Sequence, residues 1–201
     1  MLNMKFLLIL IAVNSLAGCA GIRHITNENN AKSIPFFEQS DRTTCGAALL
    51  SSVMHFYNKP LSEKSILSTY PMSDLEAGYS IGELKFIASE SGFQAFAIEG
   101  NEVILERMLN KNLPVIIAIR KHIYDDLYMT VLSDHFLVDF MFGDKLDYGH
   151  YIAVLEEGEN EYTVLDPAKG YGVVHKGWLM ERWGSKLNAM LVLVPLKNSV
   201  N

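Results

Sequence analysis

The chain has 201 residues and a formal net charge of −6, from 17 Lys or Arg against 23 Asp or Glu. A mildly acidic chain without a Lys/Arg cluster argues against nucleic acid as a partner. No GxxxxGK[ST] phosphate loop occurs, so we also expect no nucleotide. The length and the 49% hydrophobic content suit a single domain with a core of useful size.

The N-terminus has the pattern of a secretory signal peptide over residues 1–18. Lys5 supplies the positive charge, residues 6–13 form an apolar run that is short for a membrane span, and small residues follow. Leu16-Ala17-Gly18-Cys19 resembles the bacterial lipobox, after which the new N-terminal cysteine is acylated. We therefore expect an exported protein, lipid-anchored through Cys19 and facing the periplasm from the outer membrane. The alternative is an ordinary signal peptide that happens to precede a cysteine.

Two further segments follow the signal peptide. Residues 19–33 are polar and lack apolar periodicity, which predicts a flexible tether behind the lipidated cysteine. Residues 34–196 carry the apolar patterns of a folded domain. The sequence thus predicts a single domain on a tether.

The order of the predicted elements indicates the fold class. Helical periodicity and N-cap signals predict helices over 45–57, 62–70, 80–91, 101–110 and 175–183. Short apolar runs predict strands over 93–98, 113–119, 150–156, 161–165 and 189–194. Residues 120–147 fit neither pattern and are interpreted as an excursion over the active-site side. Because helices come first and strands gather late, the pattern favours an α+β fold with N-terminal helices packed on a C-terminal antiparallel sheet.

Cys45 lies where a polar stretch becomes an apolar helical pattern, which predicts a thiol at a helix N-terminus. The unpaired N–H groups and the positive dipole end of a helix favour thiolate over thiol. The chain has two cysteines, so Cys45 keeps the only free thiol if Cys19 is lipidated. A lone thiol in an oxidising compartment indicates a chemical task, although a buried cysteine is also common as a small hydrophobe.

A histidine and an aspartate lie beside the two strands of one predicted hairpin. His150 begins the first strand and Asp166 directly follows the second, so residues distant in sequence can become neighbours in space. Singly, His150 could be a half-buried polar residue and Asp166 a turn residue. Together with Cys45 they predict a cysteine-nucleophile hydrolase, in which His150 accepts and returns the proton and Asp166 orients the ring. Gln39 and the backbone N–H of Cys45 are candidate donors to the oxyanion.

Three sequence blocks resemble those of the C39 peptidases: the block from Gln39 to Ala48, His150-Tyr151-Ile152-Ala153-Val154, and Asp166-Pro167-Ala168-Lys169-Gly170. This family of papain-like cysteine peptidases removes double-glycine leader peptides. The resemblance implies a papain-like fold, Cys45 as nucleophile, His150 as base, Asp166 as orienting acid and Gln39 in the oxyanion hole. It also implies a polypeptide substrate, either a secreted protein or a leader peptide, and for a stand-alone member a role in the secretion of extracellular fibres.

Two departures from the family pattern bear on the substrate. Thr44 stands where the family usually has Asp before the cysteine, and residues 120–147 form the candidate insertion. Thr44 could alter local capping, and the insertion could reshape the substrate groove.

Other functions remain open on the sequence. One is a non-cleaving peptide-binding module, although such degenerate domains typically lose the cysteine or the histidine. Another is a papain-like amidase or acyl transferase acting on cell-wall peptide, because that chemistry is shared. A metal site built from Asp134, His135, Asp139 and His150 matches no familiar ligand spacing, so we expect neither metal nor cofactor.

Overall fold

A computed structural model describes residues 22–24, 34–122 and 147–196 of the chain. The helices are α1 (Cys45–Phe56), α2 (Glu63–Thr69), α3 (Ile81–Glu90), α4 (Glu102–Leu109) and α5 (Lys176–Gly184). Ser62, Ser80 and Asn101 cap α2, α3 and α4 through their side chains, and Ser80 forms a full capping box with Glu83. Polar caps of this kind satisfy N–H groups that have no acceptor within the helix.

The strands form one antiparallel sheet. They are β1 (Arg23–His24), β2 (Phe93–Glu99), β3 (Val115–His122), β4 (Asp147–Glu157), β5 (Glu161–Asp166), β6 (Gly170–His175) and β7 (Ala189–Pro195). Their order across the sheet is β1-β6-β5-β4-β3-β7-β2. The predicted hairpin is β4–β5, and β3 lies on the other side of β4.

Helices cover both faces of this sheet. Alternate residues of β4 point to opposite faces, so Ala153 and Leu155 belong to one apolar cluster and Ile152 and Val154 to another. The first cluster packs α1, α2 and α3 against the sheet, and the second packs α4 and α5. The predicted α+β class, with N-terminal helices on an antiparallel sheet, is confirmed.

Gly46 allows the start of α1 to approach the sheet closely. A Cβ at this position would lie 3.0 Å from the Leu84 side chain in α3 and 3.2 Å from the Tyr151 ring in β4. Contacts at that distance require the neighbouring atoms to move. The glycine after Cys45 therefore lets the helix N-terminus sit against the strand that carries His150.

Three elements differ from the sequence prediction. β3 continues through Arg120 to His122 and β4 begins at Asp147, so the ends of the predicted excursion are strand residues. The rest of the excursion, 123–146, lies outside the described residues. The strand β6 was not predicted, because Gly170 and Gly172 weaken its strand pattern. Arg23–His24, within the segment predicted as a tether, pairs with β6.

The described helices are all too short or too polar to cross a membrane. The predicted signal peptide, residues 1–18, and Cys19 lie outside the described residues. Export and lipidation therefore stay predictions.

Candidate active site

Cys45 is the first residue of α1, as predicted, and its side chain is buried. The loop before it is held by its own hydrogen bonds: Thr44 Oγ1 donates to the Asp41 carbonyl at 2.9 Å and accepts from the Asp41 N–H at 3.1 Å. Thr44 therefore does not cap α1 with its side chain. Its hydroxyl instead closes the turn that leads into the helix, which is the local consequence of having Thr before the cysteine.

A glycine from a different loop supports this turn. Gly78 has φ +77°, and a Cβ there would lie 2.3 Å from the Thr43 carbonyl oxygen. A side chain at Gly78 would therefore displace the backbone two residues before Cys45.

The sheet register brings His150 next to Asp166. In β4–β5, Ala153 pairs with Leu165, which places Asp166 opposite Ile152 and diagonal to His150 on the same face. Nε2 of His150 donates to Oδ1 of Asp166 at 2.8 Å, and both side chains are buried. The backbone N–H of Ala168 donates to the same carboxylate oxygen at 2.8 Å. The hydrogen bond between His150 and Asp166 fixes the ring orientation, and it leaves the other ring nitrogen, Nδ1, for Cys45.

The electrostatics of His150 favour the imidazolium. Burial lowers its pKa, but hydrogen bonds with Asp166 and with Cys45, together with the negative charges of those two groups, raise it from 6.5 to about 9. The structure therefore brings three predicted residues together: Cys45, His150 and Asp166. A thiol that shares a hydrogen bond with a protonated imidazole can exist as a thiolate–imidazolium pair near neutral pH.

Asp166 is the anion of the site. Burial opposes its ionisation, but the hydrogen bond to His150 and the charges of His150 and Lys121 hold its pKa well below the usual range. Lys121 Nζ donates to Oδ2 of Asp166 at 3.0 Å, and its side chain is 2% exposed. The sequence analysis missed Lys121. A charged residue after the apolar run of β3 indicates the end of a strand. The available signal for a buried Lys121 is that it continues the inward-facing alternation of Ile117 and Ile119.

Gln39 lies against the turn that follows Asp166. Its backbone N–H donates to the Pro167 carbonyl at 2.9 Å, and its Nε2 donates to the Asp41 carbonyl at 2.9 Å. The side-chain oxygen Oε1 is buried and has no hydrogen-bond partner in the described part of the chain. One N–H of this amide is thus bound within the loop that precedes Cys45, and the amide has a second N–H that can donate to another acceptor.

No metal centre accompanies these residues within the described ranges, where no three His, Cys, Asp or Glu side chains group as ligands. Of the metal alternative from the sequence, Asp134, His135 and Asp139 lie outside the described residues. The described residues of the site contribute a thiol, an imidazole and a carboxylate.

Comparison with solved structures supports the fold. The chain is similar to the peptidase domain of Streptococcus ComA, a bifunctional ABC transporter, at 19% identity with a TM-score of 0.60, covering 81% of this chain and 98% of that domain. It is also similar to a double-glycine-motif protease of an AMS/PCAT transporter, crystallised with its leader peptide, at 15% identity with a TM-score of 0.57, covering 87% and 98%. A C39-like peptidase candidate from Bacillus anthracis matches at 13% identity with a TM-score of 0.63, covering 86% and 100%.

Comparison at the level of sequence gives the family. A search of curated proteins returned no match. The model of the Peptidase C39 family, however, matches residues 33–138, which is more than half of the chain and includes Cys45 and Gln39. His150 and Asp166 fall beyond the matched residues, and the strands β4 and β5 bring them to Cys45. The chain belongs to the peptidase C39 family.

Proposed function

We propose that this protein is a cysteine peptidase that cuts exported polypeptides or leader peptides after a double glycine. The observation that carries the proposal is the buried Cys45–His150–Asp166 arrangement, with His150 Nε2 at 2.8 Å from Asp166 Oδ1 and Cys45 among the groups that raise the pKa of the same imidazole. The likeness of fold to a double-glycine-motif protease that binds a leader peptide supports the substrate class.

The reaction begins with the thiolate of Cys45 attacking the carbonyl carbon of the scissile bond. A tetrahedral intermediate forms, and the imidazolium of His150 gives its proton to the leaving amine as the C–N bond breaks. The product is a thioester on Cys45. A water molecule then loses a proton to His150 and attacks the thioester, which releases the acid and restores the thiolate–imidazolium pair.

Two donors, one at the start of α1 and one in the loop that precedes it, are candidates for binding the oxyanion of these intermediates. The backbone N–H of Cys45 lies at the N-terminus of α1, where N–H groups have no acceptor within the helix. The side-chain amide of Gln39 has a second N–H besides the one bound to the Asp41 carbonyl. Such donors act on charge that develops only in the transition state, so Gln39→Ala is expected to lower kcat by about 10²–10³ and to change KM little.

Cleavage of defined peptides tests the proposal. The full-length protein, purified from membranes in detergent, is incubated with peptides that carry a Gly-Gly site and with the same peptides carrying Ala-Ala, and the products are read by mass spectrometry. We expect one cut after Gly-Gly, no cut after Ala-Ala, and no product with Cys45→Ala. Binding of the peptides without any cut by the wild type would favour a peptide-binding module, and release of amines from cell-wall peptide alone would favour an amidase.

We further propose that the protein acts at the periplasmic face of the outer membrane, anchored by acyl chains on Cys19. The support is the sequence Leu16-Ala17-Gly18-Cys19 behind an apolar run. A role in the secretion of extracellular fibres is part of this proposal. Intact-mass analysis of the native protein should show loss of residues 1–18 and acyl mass on Cys19. A mature protein cut at another site, without added mass, would refute the anchor and leave the peptidase proposal intact.

A further inference from the structure

The buried ion pair between Lys121 and Asp166 lies directly behind the proposed catalytic site. In β3–β4, Ile119 pairs with His150, so Lys121, two residues on, lies on the same face of the sheet as His150. Asp166, diagonal to His150 on β5, lies on this face as well. Three adjacent strands therefore contribute a cation, an imidazole and a carboxylate to one buried row.

The two oxygens of the Asp166 carboxylate have different partners. Oδ1 accepts from His150 at 2.8 Å and from the Ala168 N–H at 2.8 Å, whereas Oδ2 accepts from Lys121 Nζ at 3.0 Å. Asp166 is fully buried, and a carboxylate without compensation in such a place takes up a proton or turns towards water. The ammonium of Lys121 opposes both, alongside His150 and the Ala168 N–H, because it supplies opposite charge and binds the carboxylate oxygen that His150 does not contact.

We infer that Lys121 is a positioning residue for the proposed peptidase site: it keeps Asp166 ionised and aimed at Nε2 of His150. This inference rests on the proposed function, since it concerns the same site. Lys121 does not touch the substrate or Cys45 in this scheme. Its effect reaches the reaction through Asp166 and the imidazole.

Other charged or titratable groups also face the histidine within the described residues. The Tyr148 ring lies 6.1 Å from the His150 ring, and the guanidinium of Arg42 lies 4.3 Å over the Tyr148 ring. Burial and the charge of Cys45 raise the pKa of Tyr151, so this phenol is neutral across the working range. Arg42 is an exposed cation with the tyrosine between it and the imidazole, whereas Lys121 is buried and contacts the carboxylate directly. Besides the His150 imidazolium, Lys121 is therefore the cation that directly supports the ionisation of Asp166.

Three substitutions separate the contributions of Lys121. Lys121→Arg keeps the charge and the hydrogen bond, Lys121→Gln keeps only a hydrogen-bond donor, and Lys121→Met keeps neither. An opposite charge at this distance lowers the pKa of a carboxyl group by about 1–3 units. Loss of the ammonium also removes positive charge that favours the thiolate of Cys45. The weaker ionisation of Asp166 and the less favoured thiolate both shift the acid limb, the pH range in which activity falls off at low pH, to higher pH. We expect this limb to rise by about one pH unit in the Gln and Met variants and to stay in place in the Arg variant.

The experiment follows the rate of Cys45 alkylation by iodoacetamide against pH in the full-length protein and its three variants, with peptide cleavage measured in parallel. The Gln and Met variants should lower kcat about tenfold or more with KM nearly unchanged, because general acid–base assistance is impaired while peptide contacts are kept. A purely structural ion pair would lower the melting temperature without moving the acid limb. If Lys121→Met fails to fold, the comparison of Arg with Gln carries the same test.

Two outcomes overturn the inference. One is an alkylation profile in folded Gln and Met variants that matches the wild type. The other is an equal upward shift in the Arg variant, which would mean that the lysine charge is not what matters. Alkylation needs no peptide substrate, so this result stands apart from the proposed function: a wild type that cuts no peptide defeats the peptidase proposal, while an unmoved acid limb defeats the role of Lys121 alone.

Discussion

Replacing Asp166 by Asn removes the negative charge that supports the imidazolium of His150 and keeps the shape of the side chain. Burial lowers the pKa of His150, and the contacts with Asp166 and Cys45 raise it to about 9 from the ordinary 6.5. Without the carboxylate, only Cys45 opposes burial. The ammonium of Lys121, 3.0 Å from Oδ2 in the wild type, then faces the imidazole across a neutral amide. We expect the pKa of His150 to fall to its ordinary value or below.

The size of the effect follows from this change. A fall from about 9 to 6.5 corresponds to the loss of roughly 3 kcal/mol of imidazolium stabilisation. Near pH 7.5 almost all of the wild-type His150 is protonated, whereas about one tenth would be protonated in Asp166→Asn. Near pH 5.5 His150 is mostly protonated in both the wild type and Asp166→Asn. The ratio of wild-type to variant kcat/KM should therefore grow about tenfold between these two pH values, in addition to a pH-independent loss from poorer ring orientation.

Peptide cleavage between about pH 5 and 9 measures this ratio. Asp147→Asn is the matched control, since Asp147 lies on the strand that carries His150 and binds Arg120 at 3.3 Å, not the imidazole. The control should follow the wild-type profile. A constant ratio of wild type to Asp166→Asn across the whole pH range would refute the reasoning, because it would mean that Asp166 does not set the protonation of His150.

Two further predictions concern the thiol and the loop before it. Cys45→Ala should abolish cleavage, and His150→Ala should reduce it almost as far. The double variant should lower the rate little more than Cys45→Ala alone, because the two groups act as one unit. Single-turnover kinetics measure the three rates, and additive losses would contradict the prediction. Gly78→Ala should destabilise the fold by about 1–2 kcal/mol or more and also impair cleavage, since its Cβ would lie 2.3 Å from the Thr43 carbonyl at φ +77°. Gly82→Ala in the first turn of α3 is the control, because its Cβ would lie 3.8 Å from the nearest atom, Ser80 Oγ, and it should leave activity intact in the same melting and kinetic assays. Equal effects of the two substitutions would argue against the clash.

The elements that were predicted correctly are those with local signals. Ser80 and Glu83 have the spacing of a capping box, and α3 begins there in the structure. The change from polar to apolar residues at Cys45 is also a local signal, and α1 begins there in the structure. Local chemistry decides such boundaries, so a single sequence contains the information.

The features that were missed depend on partners distant in the chain. β6 begins at Gly170 with φ +87°, and pairing with β5 overrides its weak strand propensity. The burial of Lys121 is compensated by the charge of Asp166, 45 residues further along the chain. The sequence suggested that His150 and Asp166 would meet through a hairpin, but the alternation that continues from Ile119 to Lys121 is too weak a signal to predict a third strand contributing a cation.

Trapping of the nucleophile tests the central claim most directly. A peptide chloromethyl ketone ending in Gly-Gly is incubated with the full-length protein, and the adduct is located by mass spectrometry of the intact protein and its fragments. We predict one adduct per chain, on Cys45, formed much more slowly in His150→Ala and not at all in Cys45→Ala. An adduct on another residue, or labelling of Cys45 at the same rate with and without His150, would contradict the assignment of this site as the catalytic centre.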